Sequence, residues 1–446
     1  AAGAALRYLS QRGGPLRAAL IRRLSNEGAA MTRQNTDIVI AGGGIAGLSA
    51  AAALGAAGFR VMLVSPDVPV TRGGDAAADL RSTAFLQPAR ALYERIGLWD
   101  RVAGQATPLE VLRIVDAHVT PDGGDPQVRD SREFHAGEIA ETAGGPFGWN
   151  LLNWQVLGGL MDLLEGLDNV TLRFGTSVTG MVRRDAQAIV RLADGSSVAA
   201  RLVIGADGRD SAVREAAGIG HDLTRYGQKS LAFVATHEVP HGNASTEIYV
   251  QGGPFTTVPL PDLDGRPASA IVWMNPGPET VRLAGLPEAE FNAAMRARAC
   301  DWLGAMELAS RRAMFPIIGL KAQALTAQRV ALVAEAAHVL PPIGAQGLNT
   351  SLNDIVALVA ALEGAPDPGA PEVLDRYAAA RARDIGLRVQ AIDLFNRVTR
   401  SGAPGLQALR LAGLRGLYGL APLRRAVMRA GLAPVTGDPA QAGRGD

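Results

Sequence analysis

The chain of 446 residues contains one cysteine, Cys300. That excludes an internal disulfide and any cysteine-rich metal site, and it fits a reducing compartment. An excess of charge of one sign is missing too. With 44 basic against 43 acidic residues the balance is too even for a nucleic-acid binder, so any basic partner surface must be local. A secretory pattern of short apolar core and small-residue cleavage site is also absent. What the chain has in plenty is apolar content, 48%, enough for more than one large core and for two or three compact domains.

Acids are scarce at the start. Residues 1–30 carry Arg7, Arg12, Arg17, Arg22 and Arg23 but only Glu27, ahead of Met31. An Arg-rich, acid-poor segment reads as a mitochondrial transit peptide; the preferred reading is translated upstream sequence with Met31 as the start, and in both cases residues 1–33 are an extension outside the fold. Residues 38–59 are uncharged and long enough to cross a bilayer. Their order argues otherwise: a β-prone run, three consecutive glycines, then an alanine-rich stretch predict strand, tight turn and helix.

Within that run, Gly42-Gly43-Gly44-Ile45-Ala46-Gly47 is G-x-G-x-x-G. Gly42 is expected to make the turn, Gly44 to let backbone N–H groups approach a pyrophosphate, and Gly47 to let the helix pack closely. The positive end of the helix dipole faces the phosphates. The segment 59–64, F-R-V-M-L-V, supplies the second strand of a βαβ unit. Its end lacks the expected ribose-binding carboxylate: Ser65 stands there, with Asp67 two residues on.

Two further stretches repeat the strand, loop and helix order. At 198–214 an apolar strand runs into Asp207-Gly208, with Ser211 and Arg214 at a helix start, whereas Asp194-Gly195 upstream reads as a plain hairpin turn. At 333–349, V-A-E-A-A-H-V-L-P-P-I-G-A-Q-G-L-N, a strand ends near Glu335; Pro341 and Pro342 forbid a long helix after His338, and 348–362 reads as a helix. Glu335 and His338 could suggest a catalytic pair or a metal site, but no second histidine or acidic cluster lies nearby.

Together, G-x-G-x-x-G, D-G-x-x-S-x-x-R and the A-H, P-x-x-G-x-G-x-N-x-x-x-x-D pattern resemble the class A flavin monooxygenases, the family of p-hydroxybenzoate hydroxylase. Asp207, Gly208, Ser211 and Arg214 fit the second motif; His338, Pro342, Gly347, Asn349 and Asp354 fit the third. Arg81 in D-L-R-S-T-A-F looks like the family's flavin-contacting arginine. R-Y-G-Q-K-S at 225–230, G-P-F-T-T-V-P-L at 253–260 and I-V-W at 271–273 are similar to the ubiquinone-biosynthesis hydroxylases. Two departures stand out: Ala334-Glu335 where the family has Gly-Asp, and Gly344-Ala345-Gln346-Gly347 where it more often has Ala-Gly-Gln-Gly.

The resemblance implies an α/β fold: a Rossmann-like FAD-binding domain (34–110, 150–220 and 315–400), a parallel sheet with helices, interleaved with a mixed β-sheet substrate domain (111–149 and 221–314), plus a C-terminal helical segment (401–446). It implies FAD held by Gly42, Gly44, Gly47, Arg81, Asp207 and Gly208, with Glu335 on a ribityl hydroxyl. Backbone N–H groups of Gly347, Leu348 and Asn349 would face the ring where charge accumulates on reduction. The implied reaction is hydroxylation of an aromatic ring, a prenylated phenol of ubiquinone biosynthesis, through a flavin C4a-hydroperoxide. NAD(P)H or a reductase donates the electrons and O2 is co-substrate. No Ser/His/Asp machinery is needed and none is seen.

The substrate side is expected on strands between 225 and 318, where Trp273, Phe255 and Tyr249 either line a pocket or, as aromatics on strands more often do, form core. His237 has no visible partner and reads as structural. Rival implications are a hydroxylase of a small soluble aromatic acid, a non-oxygenase reductase of isoprenoid lipids, and a non-catalytic flavin- or lipid-binding accessory protein. Segment 397–437 has seven arginines and no acid among its leucines. It reads either as a basic surface for a membrane or another quinone-biosynthesis protein, or as a helical pair on its own core. The expected location is the bacterial cytoplasm at the inner membrane, or the mitochondrial matrix side if residues 1–30 are a transit peptide.

Overall fold

The computed structural model describes residues 34–119, 124–139, 142, 144–400, 425 and 428. The expectations for residues 1–33, and for 401–446 apart from Arg425 and Met428, lie outside the described residues. The first strand, β1 (Gln34–Ala41), leads through the glycine loop into helix α1 (Ile45–Ala56) and back to β2 (Val61–Ser65). β1 runs parallel to β2 on one side and to the strand Ser197–Gly205 on the other. Val170–Phe174 extends the sheet beyond β2, and Val330–Leu332 extends it beyond Ser197–Gly205, both in parallel. Parallel strands are covered on both faces, hence the unbroken apolar runs, with Ile38, Val39, Ile40, Leu63 and Val203 fully buried. Alanine serves a packing purpose in α1: Ala50–Ala53 are all buried, so the helix is enclosed rather than half-exposed.

The second sheet has nine strands. In order along its main path they are His338–Val339, Ala313–Ala322, His221–His237, Arg266–Pro276, Gly253–Leu263, Ala244–Val250, Val111–His118 and Gln127–His135. All pair antiparallel except Val111–His118 with Ala244–Val250, so the sheet is mixed. Alternation sends Phe233, Ile248, Phe255 and Trp273 to one face, where they pack with Phe291 of the helix Glu288–Arg298. The opposite face turns toward the loop before the helix Gln346–Leu362 and toward the long helix Pro371–Arg400.

The expected domain limit at 314/315 falls inside the strand Ala313–Ala322. That strand pairs along His221–His237 from Ala322 to Ala313, so backbone hydrogen bonding carries it with the mixed sheet. A small antiparallel sheet of Ser82–Leu86, Thr107–Leu109 and Gly148–Leu152 stands beside the two. Residues 38–59 fold as strand, turn and helix, and among the described residues no helix is long and apolar enough to cross a membrane.

Candidate cofactor and substrate site

The three glycines of the first motif meet different surroundings. Gly42 has φ +116°, and a Cβ there would sit 2.2 Å from the Ala206 carbonyl oxygen; one on Gly47 would sit 2.0 Å from the Gly42 carbonyl oxygen. Both are therefore fixed by close backbone packing. Gly44 is different: a Cβ there would meet nothing within 4 Å. It is the N-cap of α1, and no side chain caps the helix, so the first N–H groups of α1 face open space. Ser65 lies under this loop, its Oγ 2.7 Å from where a Cβ on Gly43 would be, while Asp67 is exposed just past the strand.

The second motif braces the first against the third. The Asp207 carboxylate accepts the Ser211 hydroxyl and the Val213 N–H, 3.0 Å, and Ser211 caps the helix Ala212–Ala216 by accepting from the Arg214 N–H. Gly208 makes the turn at φ +80°. The buried Arg214 guanidinium donates to the Arg209 carbonyl, 2.7 Å, and to the Ala336 carbonyl, 2.9 Å. The side chains of this motif are thus occupied by protein partners, and the loop is held beside Gly42 by the Ala206 N–H, which donates to the Ala41 carbonyl at 2.8 Å.

In the third motif the strand Val330–Leu332 ends in a tight turn at Ala334–Ala336, and His338–Val339 then pairs with Leu320 and Lys321. His338 is not free for acid–base work. Its Nε2 lies 2.7 Å from Oδ2 of Asp354, which also accepts the Ala334 N–H at 2.9 Å; Oδ1 accepts Arg381 Nε at 2.8 Å. Arg381 continues to Asp384, and Asp384 to Arg388. All of these side chains except that of Arg388 are at least nine-tenths buried together with their hydrogen bonds. Burial works against the Asp354 charge, but the His338 and Arg381 side chains outweigh it and hold the carboxyl below its ordinary value.

Asn349 is the second anchor. Its Oδ1 accepts the Leu86 N–H at 2.9 Å, and its Nδ2 donates to the carbonyls of Ala84 and Ala345, both at 2.7 Å. It pins the start of the helix Gln346–Leu362 to the strand Ser82–Leu86. No side chain caps that helix, whose N-cap is Ala345, so Gln346, Gly347 and Leu348 begin it with N–H groups that have no carbonyl within the helix to bond. Two of the family departures coincide with unusual backbone: Ala334 has φ +56° and Ala345 φ +55°, the left-handed region that glycine enters freely.

Arg81 lies between these elements. Its guanidinium is paired with Asp79 at 2.7 Å and stacks 4.8 Å over the ring of Phe315 on the mixed sheet. Asp79 in turn accepts Asn153 Nδ2 at 2.9 Å. Desolvation lowers the Arg81 value, yet Asp79 and the nearby charge of Glu335 more than restore it, so the net direction is upward. Glu335 is exposed on the turn, within electrostatic reach of Arg81. The structure thus brings Gly42, Gly44, Gly47, Asp207, Gly208, Arg81, Glu335 and Gly347–Asn349 around one edge of the parallel sheet.

Of the aromatic residues singled out from the sequence, Phe255 and Trp273 meet edge to face at 5.4 Å inside the core and do not face this edge. His237 does have partners, the Val239 carbonyl at 2.8 Å and Ser269 Oγ at 2.9 Å, and is structural. Tyr249 faces the other way: its ring meets Phe395 at 5.6 Å and its hydroxyl donates to Glu247. Sequence reasoning passed over Glu247, Asp79 and Arg381. A lone acid in the apolar strand S-T-E-I-Y-V was the available signal for the first; the other two are ordinary charged residues until the fold supplies their partners.

Two uncapped helix N-termini at one sheet edge, an open Cβ-free position at Gly44, and exposed Glu335 between them fit a dinucleotide with a charged pyrophosphate, a polyol linker and an anion-forming ring. Fold and site together define an FAD-dependent oxidoreductase of the aromatic-ring monooxygenase class. The chain belongs to the FAD binding domain family, which matches residues 35–390. Ubiquinone hydroxylase UbiL of Rhodospirillum rubrum is 32% identical over 398 residues, 88% of each chain. The 3-demethoxyubiquinol 3-hydroxylase of Escherichia coli is 28% identical, over 90% of this chain and 99% of its own. Among solved structures, p-nitrophenol 4-monooxygenase PnpA of Pseudomonas putida has a TM-score of 0.69 at 22% identity, covering 89% of this chain and 97% of its own. PqsL of Pseudomonas aeruginosa, a probable FAD-dependent monooxygenase, has a TM-score of 0.66 at 22% identity, over 86% and 100%. At that identity the two structures speak for the fold.

Proposed function

We propose that this enzyme hydroxylates the aromatic ring of a prenylated phenol in ubiquinone biosynthesis, with NAD(P)H or a separate reductase as electron source and O2 as oxygen source. The observation that carries the substrate class is likeness to two ubiquinone-pathway hydroxylases over about nine-tenths of the chain. Reduced FAD supplies the oxygen-activating chemistry when bound. The protein's part is binding and exclusion of water. The α1 N–H groups beside Gly44 hold the pyrophosphate, Glu335 holds a ribityl hydroxyl, and the N–H groups of Gly347 and Leu348 stabilise negative charge on the ring without having to reorient. Arg81, kept in place by Asp79 and Phe315, adds positive charge at the same edge.

A small aromatic acid is the weaker reading. Its carboxylate needs a free cation beside the ring, whereas Ala244–Val250 presents a buried carboxylate, Glu247, on that face and the nearby Arg81 is already paired with Asp79. The test is a single turnover. Holoenzyme reduced anaerobically, by NADPH or by light, is mixed with a prenylated phenol and isotopically labelled O2; one labelled oxygen in the product is expected. Flavin that reoxidises with no labelled product from any phenol overturns the reading.

A further inference from the structure

Glu247 is an acid placed where an apolar strand has no structural need of one. The strand Ala244–Val250 sends Ile248 and Val250 into the core shared with Phe255 and Trp273, so Glu247 and Tyr249 point to the opposite face. Pairing continues that face across the sheet: Glu247 lies opposite Thr256, and Thr256 opposite Val272. Thr256 and Val272 are only half-buried, although the neighbours Phe255 and Trp273 on the other face are sealed, so the face is open beside Glu247. In the adjoining row, Met274 lies opposite Ser230 and Ser230 opposite Phe315, the ring under Arg81. The face that bears Glu247 is therefore the one that meets the cofactor-side arginine.

The carboxyl touches the loop as well. It takes hydrogen bonds from the Tyr249 hydroxyl and from the Gly344 backbone N–H, two residues before the helix Gln346–Leu362 begins. Among the described residues its other surroundings carry no neutralising charge. The loop 340–346 has no titratable side chain, and the strand Gly253–Leu263 offers Thr256. The strand Val111–His118 offers Ile114 directly opposite and Asp116 two residues on, already paired with Arg129 at 2.6 Å. The long helix presents Phe395 to Tyr249, and its Asp393 is bonded by Tyr226 and Arg397. Burial accordingly pushes the Glu247 carboxyl up, against the two hydrogen bonds, and so makes its carboxylate a stronger base than an exposed one. Bracing Gly344 would need only an amide acceptor, since glutamine offers the same oxygen without a charge to desolvate.

We propose that Glu247 is the base that takes the proton from the substrate's ring hydroxyl, so that the ring meets the oxygenating flavin as its phenolate; this rests on the hydroxylase reading above. The phenol O–H bond breaks, its electron pair stays on the phenolate oxygen, and the proton forms an O–H bond with the carboxylate. No oxidant or reductant enters that step. The electron-rich ring is the better nucleophile toward an electrophilic oxygen, and the proton returns to the product's oxygen before release.

The test uses E247Q and E247D holoenzymes, with the FAD spectrum and affinity as the control for folding. A chromogenic nitrophenol with an alkyl tail is bound to the oxidised enzymes, which requires no turnover, and its phenolate absorbance is followed against pH. Wild type and E247D are expected to bind it as phenolate at pH values where E247Q binds the neutral phenol. In single turnovers E247Q should lose about a hundredfold in hydroxylation rate on weakly acidic phenols, within the usual range for a general base, and recover with ring-fluorinated, more acidic ones. E247Q that ionises the probe like wild type, or loses rate equally on all phenols, overturns the assignment. Wild type that binds phenols as phenolates but oxygenates none supports the assignment and sinks the hydroxylase reading.

Discussion

Gly44 and Gly47 belong to one hexapeptide but answer to different constraints. A methyl on Gly47 runs into the Gly42 carbonyl, whereas one on Gly44 meets nothing within 4 Å, in the space proposed for the pyrophosphate. G47A should therefore lower the apoprotein's stability by more than about 2 kcal/mol through forced backbone shifts. G44A should leave the apoprotein unchanged or up to about 1 kcal/mol more stable while weakening FAD by at least about tenfold. Thermal melts of apoprotein and fluorescence titration with FAD read both quantities; equal loss of stability in the two variants would contradict the assignment. The left-handed alanines invite the opposite change. An L-residue in that region costs about 1–2 kcal/mol, partly offset by the extra chain entropy of glycine, so A334G and A345G should each raise apoprotein stability by about 0.5–1 kcal/mol in the same melts. The glycine roles were legible because spacing alone encodes them. The strain was not, because nothing in the sequence states a dihedral; only the departure from Gly-Asp and Ala-Gly hinted at it.

At the scale of elements, the helix Gln346–Leu362 is held by two polar anchors, each also fixing one strained alanine: Asp354 takes the Ala334 N–H, and Asn349 donates to the Ala345 carbonyl. Asp354 matters most, because removing its charge leaves Arg381 buried without one of its two carboxylates. D354N should cost about 3–5 kcal/mol in urea unfolding. The sign with pH follows from its depressed value: Asp354 contributes stability above the ordinary aspartate range, near 3.8, and that contribution disappears as pH falls through the folded-state value. The gap between wild type and D354N should thus be full at neutral pH and shrink below about pH 4; a gap independent of pH would show that the charge is not what Asp354 supplies. Here sequence reasoning had the helix and its motif residues, His338 among them, but gave His338 no partner. Its partner Asp354 was in view as a pattern position, yet Arg381, which completes the cluster, sits in an unremarkable helical run and is recognisable only by packing.

Across the whole molecule, both sheets and their general make-up could be anticipated, since unbroken apolar strands and alternating ones have different burial needs. The limit near 315 could not, because strand partners are chosen by register rather than by local composition. The basic segment 397–437 belongs to this scale too, as a proposed surface for the membrane that stores a prenylated substrate. Holoenzyme truncated after residue 402 should bind anionic liposomes much more weakly in flotation, while neutral liposomes distinguish little between the two forms. Unchanged flotation on anionic liposomes would remove the membrane role.

The Asn349 bonds to Ala84 and Leu86 span more than 260 residues of chain. Their consequence lies in the order of assembly during synthesis. The glycine loop is made early, but β1 lacks its inner neighbour until the strand Ser197–Gly205 exists, and the second helix N-terminus is pinned only after residue 349 has been translated and docked. Long-range closure of this kind is slow and leaves sheet edges uncovered in the meantime. A nascent chain halted short of that point should retain no flavin, so the cofactor enters only after residue 349 has docked on the strand Ser82–Leu86.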